Sequence, residues 1–405
     1  MQNALALILA GGKGTRLLPL TLHRAKPAVP FGGQYRIIDF TLSNCLNSNI
    51  RKVAVLTQYK SYSLDRHLRV AWNVVDSELG EFIISVPPQQ RVSEDWYRGT
   101  ADAVYQNLYL VQQEEPDDLF ILSGDHVYKM DYSEMLVSHK ETKADATIGV
   151  IEVTSTAASR FGVLEVDAKQ RVVSFVEKPQ VSKPHSTEAA VCYANMGVYL
   201  FNADMLTHYL TEDANRRTHH DFGKDILPKM VEEARVRAYE FRDENRKEVR
   251  YWRDIGTLDA YWEANMDLVA VDPVFNLYDE HWPIRTYHSQ YPPAKFVFAE
   301  EFKSGRLGIA LDSIVCNGCI ISGGRVERSV LSPNVRIEEH AEVSDSVLME
   351  NVIIGRDSKI RKAIIDKETV IPRKTEIGYD PKVDRDRFMV TDSGIVVVNK
   401  EMILQ

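Results

Sequence analysis

A chain of 405 residues with 44% apolar content is long enough to bury a large core and to divide into two domains. Its formal charge of −9, from 49 Lys and Arg against 58 Asp and Glu, leaves no general basic surface for a nucleic acid or an anionic membrane, so any phosphate recognition has to be local. Four cysteines are too few for a disulfide framework and point to a reducing cytoplasm, and no run of about 18 apolar residues is present to cross a bilayer.

In chain order, Ala4–Leu9 reads as a buried strand. No Lys or Arg precedes it, and Gly11-Gly12-Lys13-Gly14-Thr15-Arg16-Leu17 follows at once, which argues against a secretory leader. Glycines at a strand end let the backbone approach a polyphosphate and offer it successive N–H groups, while Arg16 and Lys26 add charge and directed donors. The spacing is neither the Rossmann fingerprint nor a Walker A loop, and a Gly-rich turn alone is often only a turn. Val53–Leu56, Leu119–Leu122 and Thr147–Val150 read as further strands, and Ala101–Gln112 and Tyr132–His139 as helices. This alternation predicts an α/β domain with a mostly parallel, Rossmann-like sheet, whose ligands sit beyond the carboxyl ends of the strands.

The strand at 119–122 runs into Ser123-Gly124-Asp125-His126. A carboxylate there suits a hard dication such as Mg²⁺, which prefers oxygen ligands, although Asp125 also fits a helix cap or a turn. Tyr251-Trp252-Arg253-Asp254-Ile255-Gly256-Thr257 repeats the theme with Asp254. Two carboxylates so far apart in sequence share one metal only if the fold brings them together. His219-His220 reads as a helix-start loop, with His220-Asp221 capping the next helix, ahead of a metal site; Tyr261 and Trp262 read as core.

After Pro273 a passage with Pro283, Pro292 and Pro293 leads into a segment rich in β-branched residues. Apolar residues then recur every six positions: Ile314, Ile320, Val326; Ile337, Val343; Leu348, Ile354, Ile360; Ile365, Ile371, Ile377. That period belongs to neither a helix nor a simple strand, and it predicts a parallel β-helix with each such residue in the stacked interior. Cys316-Asn317-Gly318-Cys319 inside it reads as a turn, since no neighbouring Cys or His supplies the other two ligands of a zinc site. The expected division is a catalytic domain over 1–271, a linker over 272–300 and a β-helix over 301–405.

The string Leu9-Ala10-Gly11-Gly12-x-Gly14-Thr15-Arg16-Leu17, with Lys26-Pro27 after it, resembles the signature of the nucleoside-diphosphate-sugar pyrophosphorylases. Arg24-Ala25-Lys26-Pro27-Ala28-Val29, Arg36-Ile37-Ile38-Asp39-Phe40, Trp96-Tyr97-Arg98-Gly99-Thr100-Ala101-Asp102-Ala103, Phe175-Val176-Glu177-Lys178-Pro179 and His220-Asp221-Phe222-Gly223-Lys224-Asp225 extend the resemblance over nearly the whole chain. They resemble the branch that joins the adenylyl group of ATP to glucose 1-phosphate for α-glucan synthesis, by in-line attack without a covalent intermediate.

The resemblance implies a nucleotidyltransferase domain followed by a left-handed parallel β-helix, in a cytoplasmic homotetramer with no nucleic-acid or membrane partner. It implies Mg²⁺ on Asp125 and Asp254, with Arg16 and Lys26 gripping the triphosphate beside Asp125. Gly11, Gly12, Gly14 and Thr15 form the phosphate loop, Gln58 and Trp96 lie on loops that respond to ATP and regulators, and Gly99, Thr100 and Ala101 lie where adenine and its sugar approach. For glucose 1-phosphate it implies Lys178 on the phosphate and Glu177 on the hydroxyls, with Tyr97, Gly162 and Asn195 lining the pocket; Asn195 stands where many relatives carry Ser. Sugar-phosphate and AMP or ADP effectors are implied through a cationic site containing Arg36. The best-known pattern has Lys and His where this chain has His23 and Pro30, so weak or altered activation by fructose 1,6-bisphosphate is expected. Relatives that make UDP-, dTDP- or GDP-sugars share the loop and both carboxylates. Silent regulatory subunits also occur, and the presence of Asp125, Lys178 and Asp254 argues against that role here.

Overall fold

The computed structural model describes residues 3–89, 96–179, 191–299 and 306–400. The chain forms two compact units, each assembled from separated stretches: Met1–Gly12, Thr41–Gly124 and Lys129–Glu244 in one, Lys13–Phe40, Asp125–Tyr128 and Asn245–Gln405 in the other.

The first unit is built on a nine-stranded sheet. Strand Ala4–Ala10 is central because it is apolar on both faces, with Leu5, Ala6, Leu7 and Ile8 fully buried. It pairs in parallel with Lys52–Thr57 and Asp118–Ser123, and Lys52–Thr57 pairs in parallel with Phe82–Val86. On the far side of Asp118–Ser123 the long strand Val191–Asn202 enters antiparallel and also pairs with Ala146–Thr154 and Gly162–Val166. Helix Tyr132–Glu141 forms as expected, starting on the cap Asp131, whose carboxylate accepts from Ser133 N–H. The helix expected over 101–112 is broken into Thr100–Tyr105 and Leu108–Glu114. Asn107 causes the break: its side-chain amide donates to the Ala103 carbonyl at 2.8 Å, the acceptor that its own backbone N–H would use in a continuous helix.

In the second unit, His126–Tyr128 and Trp252–Asp254 form a two-stranded antiparallel ribbon that sets Asp254 opposite His126. Beyond it, three parallel sheets of short strands build the predicted β-helix. The first coil advances by 16 residues, from Ile321 to Ile337, and the next ones by 17, as the Ser346 to Ser329 and Ala363 to Ser346 bonds show. Three stacks fill the interior: Val326, Val343, Ile360 and Ile377; Ile321, Ile337, Ile354 and Ile371; and Leu331, Leu348, Ile365 and Val398. All twelve of these side chains are essentially inaccessible to solvent. Each coil turns at three corners through left-handed residues, at Arg328, Asp345 and Lys362, at Asn334, Asn351 and Glu368, and at His340, Asp357 and Lys374.

Two members of the six-residue series are displaced. Ile314 and Ile320 are only partly buried; Val315 and Ile321 take the inward positions, paired with Leu331 and Ile337. Neighbouring strand residues face opposite ways, and both dipeptides are apolar at both positions, so spacing alone does not choose between them. One sheet is in fact apolar outside as well as inside. Val330, Val347, Ile364 and Val397 point away from the coil and join a core with Phe31, Phe40, Tyr261 and Phe275. Tyr261, on helix Leu258–Asp267, is fully buried and donates its hydroxyl to Pro30 O at 2.7 Å. Trp262 is only partly buried, and its indole N–H donates to Asp345 O at 2.8 Å.

Candidate active site

Three separated stretches of the second unit converge on one cluster of charge. Lys26 begins a short 3-10 turn with Pro27 in its first turn, so its side chain is fixed from a buried position. Its Nζ donates to Asp125 Oδ2 at 2.6 Å and to Asp254 Oδ1 at 3.3 Å. The two acids are neighbours because the ribbon pairs Asp254 with His126, next to Asp125, and because Ile255 N–H bonds back to Asp125 O. Asp125 is therefore a strand-end carboxylate aimed at a cation and not a helix cap.

The His126 imidazole completes the group. Its Nε2 lies 3.5 Å from Asp125 Oδ1 and 3.8 Å from Asp254 Oδ1, and its ring meets Trp252 edge-on at 5.2 Å. Ligand atoms of Asp125, His126 and Asp254 lie within 4.8 Å of one another, a spread that one ion can span, and this is the one such group among the described residues. Gly256 keeps the edge of the cluster clear. A Cβ there would come to 3.1 Å from Asp254 Oδ2 and 3.4 Å from Arg16 Nη2, so glycine lets the Arg16 guanidinium close over the same backbone. Gly14 is required where it stands: its φ is 62°, and an added Cβ would meet Thr21 Cγ2 at 3.0 Å and Lys26 Cβ at 3.3 Å.

Electrostatics follow from this packing. Burial by itself lowers the affinity of Lys26 for its proton, but the carboxylates of Asp125 and Asp254 outweigh it and hold the ammonium pKa above its ordinary value. Burial likewise raises the Asp125 carboxyl, and Lys26 together with His126 more than reverses this, leaving Asp125 well below the usual carboxylate range. Both acid side chains keep 28–29% of their surface exposed. Carboxylate oxygens that are reachable from solvent are what a hard divalent ion requires.

The first unit holds most of the other predicted residues in groups of its own, while Thr15, His23 and Arg36 belong to the second. Gln58 lies alongside Gly11, where an added Cβ would stand 3.2 Å from Gln58 Cβ, whereas a Cβ on Gly12 would meet nothing within 4 Å. Trp96 is 61% exposed. Gly99 packs so tightly on the His220 carbonyl that a Cβ would lie 2.3 Å from it. Ala101 N–H donates to that same carbonyl at 2.8 Å, and the Thr100 hydroxyl donates to Asp221 at 2.9 Å. The two motifs 97–103 and 220–225 are thus knitted together. Glu177 presses its carboxylate against Gly162 and Gly223, where Cβ atoms would come within 2.9 and 2.7 Å of Oε2. Asn195 lies beside them: its Cβ would be 3.4 Å from one on Gly162, and its amide donates to Tyr199 Oη at 2.7 Å. Lys178, in a left-handed conformation, is exposed with Nζ 3.2 Å from Glu177 Oε1. Tyr97 is half-buried and accepts from Asn107 Nδ2 at 2.9 Å.

His219 and His220 form no ligand set. His220 Nδ1 bonds Asp213 at 2.8 Å, and Asp221 caps the following turn by accepting from Gly223 and Lys224 N–H. The Cys316 and Cys319 thiols are free and buried, and desolvation raises both pKa values, to about 12 and about 11. His23 is exposed and Arg36 half-buried. Sequence reasoning left His126 unassigned, although it follows Asp125 directly. It also passed over Arg24 and Lys367. Burial lowers the Lys367 pKa and the charges of Arg36 and Arg24 add to the effect, while Glu350, 3.0 Å away, opposes it.

A family model described as nucleotidyl transferase matches residues 5–270, and one described as GlmU-like, C-terminal hexapeptide matches residues 292–398. A glucose-1-phosphate adenylyltransferase of Rhodopirellula baltica is 56% identical over 407 aligned residues, covering all of this chain and 91% of the relative. Those of Koribacter versatilis and Methylococcus capsulatus are 54% and 52% identical, covering 99% and 100% of this chain and 96% and 95% of the relatives. With a matching domain model over most of its length and relatives more than half identical from end to end, the chain belongs to the nucleotidyl transferase family, among the glucose-1-phosphate adenylyltransferases.

Proposed function

We propose that the protein transfers the adenylyl group of ATP to α-D-glucose 1-phosphate, releasing pyrophosphate and forming ADP-glucose, with Mg²⁺ as the divalent ion. The observation that carries this reading is the Lys26–Asp125–Asp254 cluster, supported by the names of the relatives. Two ionised carboxylates with an ammonium between them fit a hard, oxygen-preferring ion, and Asp125 and Asp254 would hold it. When bound, the ion neutralises charge on the phosphates. The chain's own residues do the rest. Lys26 and Arg16 bind triphosphate oxygens, and Asp125 and Asp254 hold Lys26 protonated and aimed. The attacking phosphate oxygen of glucose 1-phosphate is already an anion, so no residue has to remove a proton. Catalysis then consists of holding two anions in line and stabilising charge that grows on the bridging oxygen.

Gly11, Gly12, Gly14 and Thr15, with Gln58, Trp96 and Gly99–Ala101, serve ATP in this reading. Lys178 takes the sugar phosphate, and Glu177, Asn195, Gly162 and Tyr97 take the glucose; the contacts among Glu177, Gly162 and Asn195 support this. Arg36, His23 and the neighbouring Lys367 form a cationic effector site, and with His23 and Pro30 in place the response to fructose 1,6-bisphosphate is weak. The two family matches, ending at 270 and starting at 292, support a catalytic domain over 1–271, a linker over 272–300 and a β-helix over 301–405 that regulates and joins a tetramer. Four free thiols support a cytoplasmic location, and no described helix is long and apolar enough to cross a membrane. The test is pyrophosphate release over a panel of nucleotides and sugar phosphates: ATP with glucose 1-phosphate is expected to lead, and a clear preference for UTP, dTTP or GTP would overturn the assignment.

A further inference from the structure

Beside the knitted motifs 97–103 and 220–225, the first unit carries a strongly basic cavity of about 500 Å³, and we propose that it is a binding site for a small phosphate-bearing anion. Six basic side chains line it: Arg98 from the segment before helix Thr100–Tyr105, and Arg216, Arg217, His219, His220 and Lys224 from the segment that follows helix Ala203–Ala214. In a chain of net charge −9, so many basic groups around one space are a local arrangement and not a general property of the surface.

The charge in the cavity is only partly answered: His220 is bonded to Asp213 at 2.8 Å, and His219 Nδ1 lies 3.9 Å from Asp225 Oδ1. Asp221 is the one carboxylate among the lining residues, and its oxygens are already engaged by Gly223 N–H, Lys224 N–H and the Thr100 hydroxyl. Arg98 pairs with Asp102 and Arg216 with Glu212, each through one terminal nitrogen, which leaves further guanidinium donors for a ligand. Arg217 and Lys224 have no ion-pair partner among the described residues. A planar guanidinium beside an ammonium suits the tetrahedral oxygens of a phosphate. The walls are fixed: Gly99 packs on the His220 carbonyl, and the His220 ring is clamped by Asp213 at 2.8 Å. The aliphatic surface needed for a lipid chain is absent from the lining, so the ligand is a compact anion.

Gly99 lines this cavity, and Gly99–Ala101 are the residues assigned above to the nucleotide. Filling the cavity therefore alters ATP affinity, a coupling that rests on that assignment. The experiment titrates inorganic phosphate at constant ionic strength into the full chain without metal, and follows the His219 ring resonances, assigned with His219→Gln. A saturable shift is expected, weakened about tenfold per cation removed in Arg217→Gln/Lys224→Gln and retained in the charge-conserving Arg217→Lys/Lys224→Arg. Absence of a saturable shift, or an equal shift in the Gln double variant with its melting temperature intact, overturns the site. A saturable shift with an unchanged half-saturating ATP concentration overturns the coupling and the assignment of Gly99–Ala101 to ATP, while leaving the anion site standing.

Discussion

Arg24 and Lys26 are two residues apart in the chain, and the structure gives them opposite tasks. Arg24 is bound two-pronged by Asp366 at 2.7 and 3.1 Å, with Met349 Sδ 3.8 Å away, and the two charged side chains are only 7% and 3% exposed. Lys26 is equally enclosed, but its acids Asp125 and Asp254 keep more than a quarter of their surface open. The first pair is sealed, so neither member can exchange its partner and its effect is on stability. The second is open on the acid side, so its carboxylates can take a metal and its ammonium a phosphate. Solvent access of the partner, more than the strength of the ion pair, separates a structural charge from a working one.

The sharpest way to break this contrast is to remove one member of each pair. Arg24→Met leaves Asp366 charged and buried, and unfolding in denaturant is expected to lose about 3–5 kcal/mol. Adding Asp366→Leu should restore most of the loss, because an apolar pair replaces the stranded charge. Asp125→Asn is expected to act mainly on the chemistry: turnover falls by about 10²–10³-fold at saturating Mg²⁺, while Asp254 still pairs with Lys26, so the stability lost is smaller than in Arg24→Met. The β-helix offers a control outside both pairs. Ile360→Ala empties a fully buried place in the stack and should cost about 2–5 kcal/mol while leaving the affinity for ATP unchanged.

Acidification sharpens the comparison further. Asp125 has a folded-state pKa below its ordinary value of 3.8, so its contribution to stability is present above that value and fades as pH falls through the folded one. Asp125→Asn should therefore flatten the acid limb of the stability profile, as measured by denaturant unfolding below pH 4. The smallest effect is expected from fructose 1,6-bisphosphate. With His23 and Pro30 in the chain, it should move the half-saturating ATP concentration by less than about twofold, and a change of tenfold would place additional cations in its site.

Much of the fold was legible because its signals are periodic. The apolar strand at 4–9 and the six-residue series announced a sheet and a coil. The series misplaced Ile314 and Ile320 because Ile-Val and Ile-Ile look alike to spacing, and the outward apolar column at Val330, Val347 and Ile364 has no signature until a core is seen covering it. The acids Asp125 and Asp254 were legible as strand-end carboxylates, each with a glycine nearby. Their meeting was not, since it depends on the ribbon that pairs residues 126–128 with 252–254. His126 escaped notice because a histidine after an aspartate carries no signal of its own until its ring is found between two carboxylates. Arg24 and Asp366 lie too far apart in sequence for any local pattern to connect them.

The most direct test of the working pair is the Mg²⁺ dependence of pyrophosphate release from ATP and glucose 1-phosphate in the native chain and in Asp254→Asn. A shared ion predicts a marked rise in the half-saturating Mg²⁺ concentration and a fall in turnover of about a hundredfold or more for the variant. Unchanged Mg²⁺ dependence with near-native turnover would contradict it.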